Sequence, residues 1–230
     1  MIRARQLLQI PAPGLFHAAQ LAVVEDLQDP DSLARVQVRL LGSDGVNGHD
    51  GPVWARVACP FAGDNRGTFF IPEVGDEVLV TFILGDPRFP VVVGGLWNGS
   101  AKAPAAISSG KNLLKVIRSK NGVKVTLDDH DGQEQFIAET PGGQKITLKD
   151  GPGAVTIEDS NGNSIKLETA GITVTASAKV TVNASQVNVS AGMIQVDAAM
   201  SKFSGVVQCD TLIATTVVAT TYTPGAGNIW

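Results

Sequence analysis

Residues 165–196 read IKLETAGITVTASAKVTVNASQVNVSAGMIQV, and this stretch decides the fold. Aliphatic residues occur in pairs separated by one residue, and successive pairs begin 7 or 8 residues apart. Each pair predicts a very short β-strand with one apolar face. Because one such strand buries almost nothing, the strands must stack on copies of themselves to form a core. The pairs are Ile165/Leu167, Ile172/Val174, Val180/Val182, Val187/Val189 and Ile194/Val196.

The composition of the 230-residue chain indicates an all-β protein, since it is rich in Val, Thr and Gly. A net charge of −4 disfavours a general binder of nucleic-acid backbones. Cys59 and Cys209 are far apart, and we expect both to be reduced and buried. The basic N-terminus lacks a long apolar run before Pro11, so we expect no secretory signal. No run approaches the roughly 18 apolar residues of a membrane-spanning helix.

The first part of the chain predicts a small barrel. Val36, Val38 and Leu40 alternate with polar residues and are expected to face inward. Five short strands are predicted within residues 16–27, 35–40, 53–59, 78–82 and 90–97. This number of strands in so short a segment suits a Greek-key barrel of the OB type, which closes its own edges.

OB barrels often bind nucleic acids through exposed aromatic and basic residues. Here the aromatic residues alternate with aliphatic ones, so we expect Phe69, Phe70, Phe82 and Trp97 to belong to the core. The basic residues are dispersed and offset by acids. Nucleic-acid binding is therefore not expected.

Two sequence motifs within the barrel identify a family more specifically than the fold class does. Residues 71–82 contain P-x-x-G-D-E-V-L-V-x-F, and residues 85–98 contain G-D-P-x-x-P-V-V-x-G-x-L-x-N. The region from residue 16 to 100 resembles the OB domain of contractile-tail spike proteins, namely the phage baseplate assembly protein V family and the VgrG proteins of type VI secretion. The resemblance implies an OB-fold barrel that is mounted on a separate trimeric hub protein.

Further aliphatic pairs occur between the barrel and residues 165–196. They occur at Val123/Val125, Ile146/Leu148 and Val155/Ile157, with glycine-rich corners between them. The phrases D-D-x-x-G-x-E at 128–134 and D-x-x-G-N-x-I-x-L at 159–167 also resemble this family. The resemblance implies a C-terminal triple-stranded β-helix, a β-prism needle formed by an intertwined homotrimer.

The pattern itself fits either one chain with three strands per rung or three chains that each supply one face; the resemblance favours three chains. The interior of that needle is predicted from the aliphatic pairs. The predicted trimer core consists of Ile165, Leu167, Ile172, Val174, Val180, Val182, Val187, Val189, Ile194 and Val196.

Neither catalytic, cofactor-binding nor metal-binding residues are predicted. The carboxylates cluster at turns, and no helical domain supplies the cleft that glycoside hydrolysis requires. The segment 128–132 lacks calcium-loop spacing. His17, His49 and His130 are isolated in sequence. We therefore expect a structural protein and no enzyme.

The last nine residues break the β-pattern and are expected either to cap the trimer or to bind a tip protein. The candidate residues are Tyr222, Pro224, Asn228, Ile229 and Trp230. The resemblance implies a PAAR-type tip protein, a hub contact for residues 1–15, and mechanical contact with a target cell envelope. The predicted division is extension 1–15, OB domain 16–100, transition 101–120, shaft 121–221 and tip 222–230.

These expectations describe the central spike of a contractile injection system or myophage-type tail. Sheath contraction would drive it through the target envelope. We expect it in a virion or phage-tail-like particle, after assembly in the bacterial cytoplasm. The alternative is a β-helical tail fibre with receptor-binding or polysaccharide-degrading activity, which would require an aromatic groove or paired carboxylates on the shaft.

Overall fold

A computed structural model describes residues 18–43, 51–152 and 154–221. Its chain divides into two compact units, Met1–Lys179 and Val180–Trp230. The predicted hub-contact segment 1–15 and the predicted tip segment 222–230 lie outside the described residues. The predicted domain boundaries stay predictions.

The first unit begins with the closed barrel that the alternating segments predict. Its strands follow the order β1-β2-β3-β7-β6, and β6 pairs back with β1. All neighbours are antiparallel except β3 and β7, which are parallel. A short hairpin of β4 (Ala62–Gly63) and β5 (Arg66–Gly67) interrupts the barrel. The barrel strands are β1 (Gln20–Asp26), β2 (Val36–Leu40), β3 (Val53–Val57), β6 (Glu77–Phe82) and β7 (Pro90–Leu96).

The barrel interior is filled by small aliphatic side chains from alternating positions. Val36, Val38 and Leu40 are all buried, which confirms the inward face predicted for β2. The remaining buried apolar residues are Ala22, Val24, Ala55, Val78, Val80, Phe82 and Val92. Valine suits this interior because its branched side chain packs well on a pleated surface.

The prediction of an aromatic barrel core is correct for Phe82 and wrong for three other residues. Phe69, Phe70 and Trp97 are 78%, 71% and 71% exposed. Phe69 and Phe70 lie in the irregular segment between β5 and β6, and Trp97 follows the end of β7, so no strand imposes alternation on their side chains. The barrel already closes around aliphatic residues, so its narrow interior has no need of these rings.

The expected burial of both cysteines is also wrong. Cys59 and Cys209 are free thiols, and both are exposed. Cys59 follows the end of β3, where its Sγ donates a 3.2 Å hydrogen bond to the Phe61 carbonyl. This bond orients the thiol towards the loop backbone and away from the core.

The β1–β2 connection is organised by the carboxylate of Asp29. Its two oxygens accept hydrogen bonds from the backbone N–H groups of Asp31, Leu33 and Arg35. The Arg35 guanidinium donates to the same carboxylate, with Nη2 2.6 Å from Oδ1. This hydrogen bond is the main reason that the pKa of Asp29 lies well below its usual value.

A second sheet follows the barrel within the same unit. Seven strands run as an antiparallel meander in the order β8 to β14. The turns between them use glycines at positive φ, such as Gly143 at 88° and Gly162 at 83°, because residues with a Cβ disfavour this conformation. The strands are β8 (Leu114–Arg118), β9 (Lys124–Asp128), β10 (Gln135–Glu139), β11 (Lys145–Lys149), β12 (Val155–Glu158), β13 (Ser164–Glu168) and β14 (Gly171–Thr175).

An ion pair links this sheet to the barrel. Lys120, in the β8–β9 turn, places its Nζ 2.9 Å from Oε2 of Glu73, which precedes β6. Both side chains are largely exposed, so this pair orients the turn more than it stabilises the fold.

In the second unit, residues 180–221 form no strand in the single chain. Every residue of this segment is exposed, including its valines and isoleucines. The predicted triple-stranded β-helix is therefore not confirmed and stays a prediction. Among the described residues, no helix has the length and apolar character needed to cross a membrane.

Candidate trimer interface

Strand register places most of the apolar residues of the second sheet in two continuous rows on one face. Residues directly opposite each other on paired strands lie close together, so each row forms a ladder across the sheet. One row follows Ile117, Val125, Ala138, Ile146, Ile157, Ile165 and Val174. The other follows Leu127, Phe136, Leu148, Val155, Leu167 and Ile172. We call these two rows the apolar face.

The apolar face is uncovered in the single chain. Most of its large residues are between 38% exposed at Phe136 and 71% exposed at Ile172, whereas Val125 and Val155 are partly buried. A soluble chain rarely leaves so continuous a row of large aliphatic side chains in water. The face is therefore a candidate surface for association with another protein.

The opposite face of the sheet is mainly polar, although Leu114, Val116 and Ile137 also lie on it. Lys124 and Glu139 pair across β9 and β10 at 2.5 Å, and Lys145 and Glu158 pair across β11 and β12 at 3.6 Å. The hydrogen bond from Lys124 lowers the pKa of Glu139. Near these long side chains, Thr126 is only 6% exposed. Its ion-paired charged side chains are those of a surface that contacts solvent.

Two turns of the sheet contain carboxylates that form hydrogen bonds with nearby side chains of the same turn. In the β12–β13 turn, the amide of Asn163 donates a 2.7 Å hydrogen bond to Asp159 and lowers its pKa. In the β9–β10 turn, the hydrogen bond to the His130 ring lowers the pKa of Asp128. Within the described ranges, no group of three or more His, Cys, Asp or Glu side chains is placed to hold a metal ion.

The predicted trimer-core residues fall into two groups. Ile165, Leu167, Ile172 and Val174 lie together on β13 and β14, within the apolar face. The remaining six, from Val180 to Val196, lie in the segment without strands, where they are exposed. The tip candidates Tyr222, Pro224, Asn228, Ile229 and Trp230 lie outside the described residues. Membership of the trimer core stays a prediction for all ten residues.

The sequence-based core omitted much of the apolar face. Ile117, Leu127, Phe136 and Ala138 belong to it and were not recognised as members of aliphatic pairs. Alternation along β9 carries the missing signal for Leu127, because every second residue of a strand faces the same side. In β10 the neighbouring residues Phe136 and Ile137 are both apolar, so the sequence does not show which of them faces the same side as Leu127.

The fold and this face together define a class, namely a two-part all-β protein that associates through its second part. Residues 20–97 match the type VI secretion system/phage-baseplate injector OB domain. Residues 135–195 match the phage baseplate V C-terminal trimerisation domain. These matches cover more than half of the chain, which belongs to the family of VgrG-like and phage baseplate V spike proteins.

Similar curated proteins are type VI secretion system spike proteins. VgrG1b of Pseudomonas aeruginosa is 30% identical over 103 residues, covering 42% of this chain and 14% of that protein. VgrG4b of Pseudomonas aeruginosa is 33% identical over 113 residues, covering 46% and 14%. VgrG3 of Vibrio cholerae is 34% identical over 89 residues, covering 36% and 9%. The chain thus spans only a small part of the length of these relatives.

The region that matches the trimerisation domain contains most of the apolar face. The trimerisation-domain match begins at β10 and includes every later strand of the sheet. It therefore supports a homotrimer, and the spike relatives support a baseplate or tail-associated role. The strands β8 and β9 precede the matched region, although their apolar residues continue both rows.

Proposed function

We propose that this protein is the homotrimeric central spike of a contractile tail and that it acts mechanically, without enzymatic activity. The observation that carries the proposal is the uncovered apolar face on a sheet that follows directly after an OB barrel. Each large aliphatic side chain contributes about 1.5–3 kcal/mol when it is fully removed from water. Several such residues per chain, in three chains, supply a strong driving force for association.

The two faces of the sheet suit a shaft. Three copies that direct their apolar faces inward would leave the ion-paired polar faces outside. Residues 180–221 continue the alternation of aliphatic with Thr, Ser and Asn residues and would extend the same arrangement. A chain in such an assembly cannot leave without disrupting its contacts with two others, so the spike would unfold slowly.

The two ends of the spike have different proposed partners. The barrel end would be mounted on a separate trimeric hub protein, with residues 1–15 as part of the contact. The far end, including Trp230, would bind a PAAR-type tip protein or cap the trimer. Contraction of the sheath would then drive the trimer through the target envelope. The protein would be assembled in the bacterial cytoplasm into a virion or a phage-tail-like particle.

Two experiments test this proposal. Native mass spectrometry of the purified full chain should give about three times the chain mass of 23.9 kDa, and a monomer at micromolar concentration would contradict the proposal.

Electron microscopy of contractile particles assembled without this chain should show the loss of central density below the tube, together with loss of target-cell killing. Particles that keep both properties would exclude the central-spike role.

A further inference from the structure

A groove on the outside of the barrel combines apolar walls with three arginines. Its walls come from the residues before β2, from β3 and from the β6–β7 turn. The lining residues are Leu33, Arg35, Trp54, Arg56, Ile83, Arg88, Phe89 and Pro90. Leu84 continues the apolar surface beyond Ile83 and Phe89. All lining residues belong to the barrel, and none belongs to the apolar face of the second sheet.

The groove lies beside the pairing between β3 and β7, which is the shortest strand pairing in the barrel. β7 pairs with β3 only through Arg56 and Val57. Among the described strands, none pairs with Val53–Ala55 on that side of β3. β7 itself begins at Pro90, which has no N–H group to donate. An extended segment that continues the line of β7 would therefore find space beside Trp54.

Two of the three arginines lie over aromatic rings of the groove walls. The Arg35 guanidinium carbon lies 5.9 Å from the centre of the Trp54 ring, and that of Arg88 lies 5.6 Å from the centre of the Phe89 ring. Asp29 and Asp86 already balance the charges of these two arginines. Arg56 is exposed and has no ion pair among the described residues, so it leaves the groove with one uncompensated positive charge.

The turn beside the groove presents an apolar side chain at a conformational cost. Leu84 has a φ of 54° and is 91% exposed. A non-glycine residue in the left-handed region is uncommon, and such outliers cluster at ligand contacts. Here the conformation places a leucine in the adjoining pocket that Ile83 and Phe89 also line.

We propose that this groove binds an extended segment of a partner protein that carries a carboxylate between apolar side chains. Apolar residues of the segment would contact Trp54, Ile83 and Phe89, while its carboxylate would accept hydrogen bonds from Arg56. Residues 1–17 of the chain itself contain Arg3 and Arg5 and no acid, so their charge does not suit the site. Nucleic acid is a different occupant and is tested as such below. The proposal does not depend on trimer formation.

The test selects binders from a random dodecapeptide library displayed on phage, using the full-length protein as the target. Selected peptides are then titrated against a Trp97→Phe, Trp230→Phe background, in which Trp54 is the only tryptophan and reports on the groove. Enriched peptides should contain Asp or Glu flanked by apolar residues and should change Trp54 fluorescence. Arg56→Gln should weaken their binding at least about tenfold.

Matched controls decide the outcome. Arg118→Gln removes an exposed arginine outside the groove and should leave binding unchanged. Equal binding to the Arg56→Gln variant, enrichment of peptides without acids, or tighter binding of an octathymidine oligonucleotide would overturn the proposal. Residues 44–50 carry Asp44 and Asp50 and lie outside the described residues. If peptides bind only to an Asp44→Asn, Asp50→Asn variant, the occupant is the chain's own loop and the proposal is wrong.

Discussion

Asp29 is the residue on which the β1–β2 loop depends. Its carboxylate accepts three backbone N–H groups and the Arg35 guanidinium. Asp29→Asn keeps the size of the side chain and removes its charge, so we expect the melting temperature to fall by about 5 °C. Thermal unfolding followed by circular dichroism measures the effect. Asp31→Asn is the control, because Asp31 is 64% exposed and should shift melting much less.

The same carboxylate predicts a dependence on pH. The Arg35 hydrogen bond lowers the pKa of Asp29 below its usual 3.8, so the folded state favours the ionised form. The resulting stabilisation is present above pH 3.8 and is lost as the pH falls further towards the folded-state pKa. In urea unfolding between pH 7 and pH 2, the stability difference between wild type and Asp29→Asn should narrow below pH 4. A difference that stays constant would contradict this linkage.

For Thr126 we expect a substitution that stabilises the protein. Its side chain is 6% exposed, and its hydroxyl has no hydrogen-bond partner among the described residues. A buried donor without a partner is costly, so Thr126→Val should stabilise the protein by about 1 kcal/mol in urea unfolding. Thr173→Val, on the exposed part of the same face, should change stability little. Destabilisation by Thr126→Val would instead mean that the hydroxyl finds a partner in the assembled protein.

At the scale of elements, alternation was sufficient to predict the five barrel strands and the inward face of β2. It failed for Phe69, Phe70 and Trp97 because alternation has meaning only where backbone pairing fixes which way a side chain points. The two-residue strands β4 and β5 are too short to carry a periodic signal. The exposure of Cys59 likewise depends on a loop carbonyl that sequence does not reveal.

The apolar face predicts which substitutions separate assembly from folding. Leu148 is 46% exposed on β11, so Leu148→Glu should leave the meander intact while placing three carboxylates inside the trimer. Size-exclusion chromatography with light scattering should show a monomer where the wild type is trimeric. Thr173→Glu, on the opposite face of β14, should remain trimeric. A trimeric Leu148→Glu variant would exclude this face from the interface.

At the scale of the whole molecule, the sequence predicted an all-β spike with a barrel at its start, and the family matches agree. Among the residues of the apolar face, the search for isolated aliphatic pairs missed Ile117, Leu127, Phe136 and Ala138, and only the pairs after residue 165 were assigned to the trimer core. Strand register was needed to join Ile117 and Leu127 to the same rows. Any pairing of chains beyond residue 179 would depend on contacts between chains, which no pattern within one chain can specify.

Residues 180–221 yield the last prediction. They form no strand in the single chain and leave their aliphatic side chains exposed, so they lack the burial that offsets the entropy of ordering. If association supplies that burial, their amide protons should exchange slowly in the wild-type trimer and rapidly in the monomeric Leu148→Glu variant. The barrel strands β1 and β2 serve as an internal reference, because their pairing is complete within one chain and their protection should persist in both proteins. Slow exchange of 180–221 in the monomer would show that this segment folds alone, as a single-chain solenoid would. Rapid exchange in both proteins would remove it from the shaft.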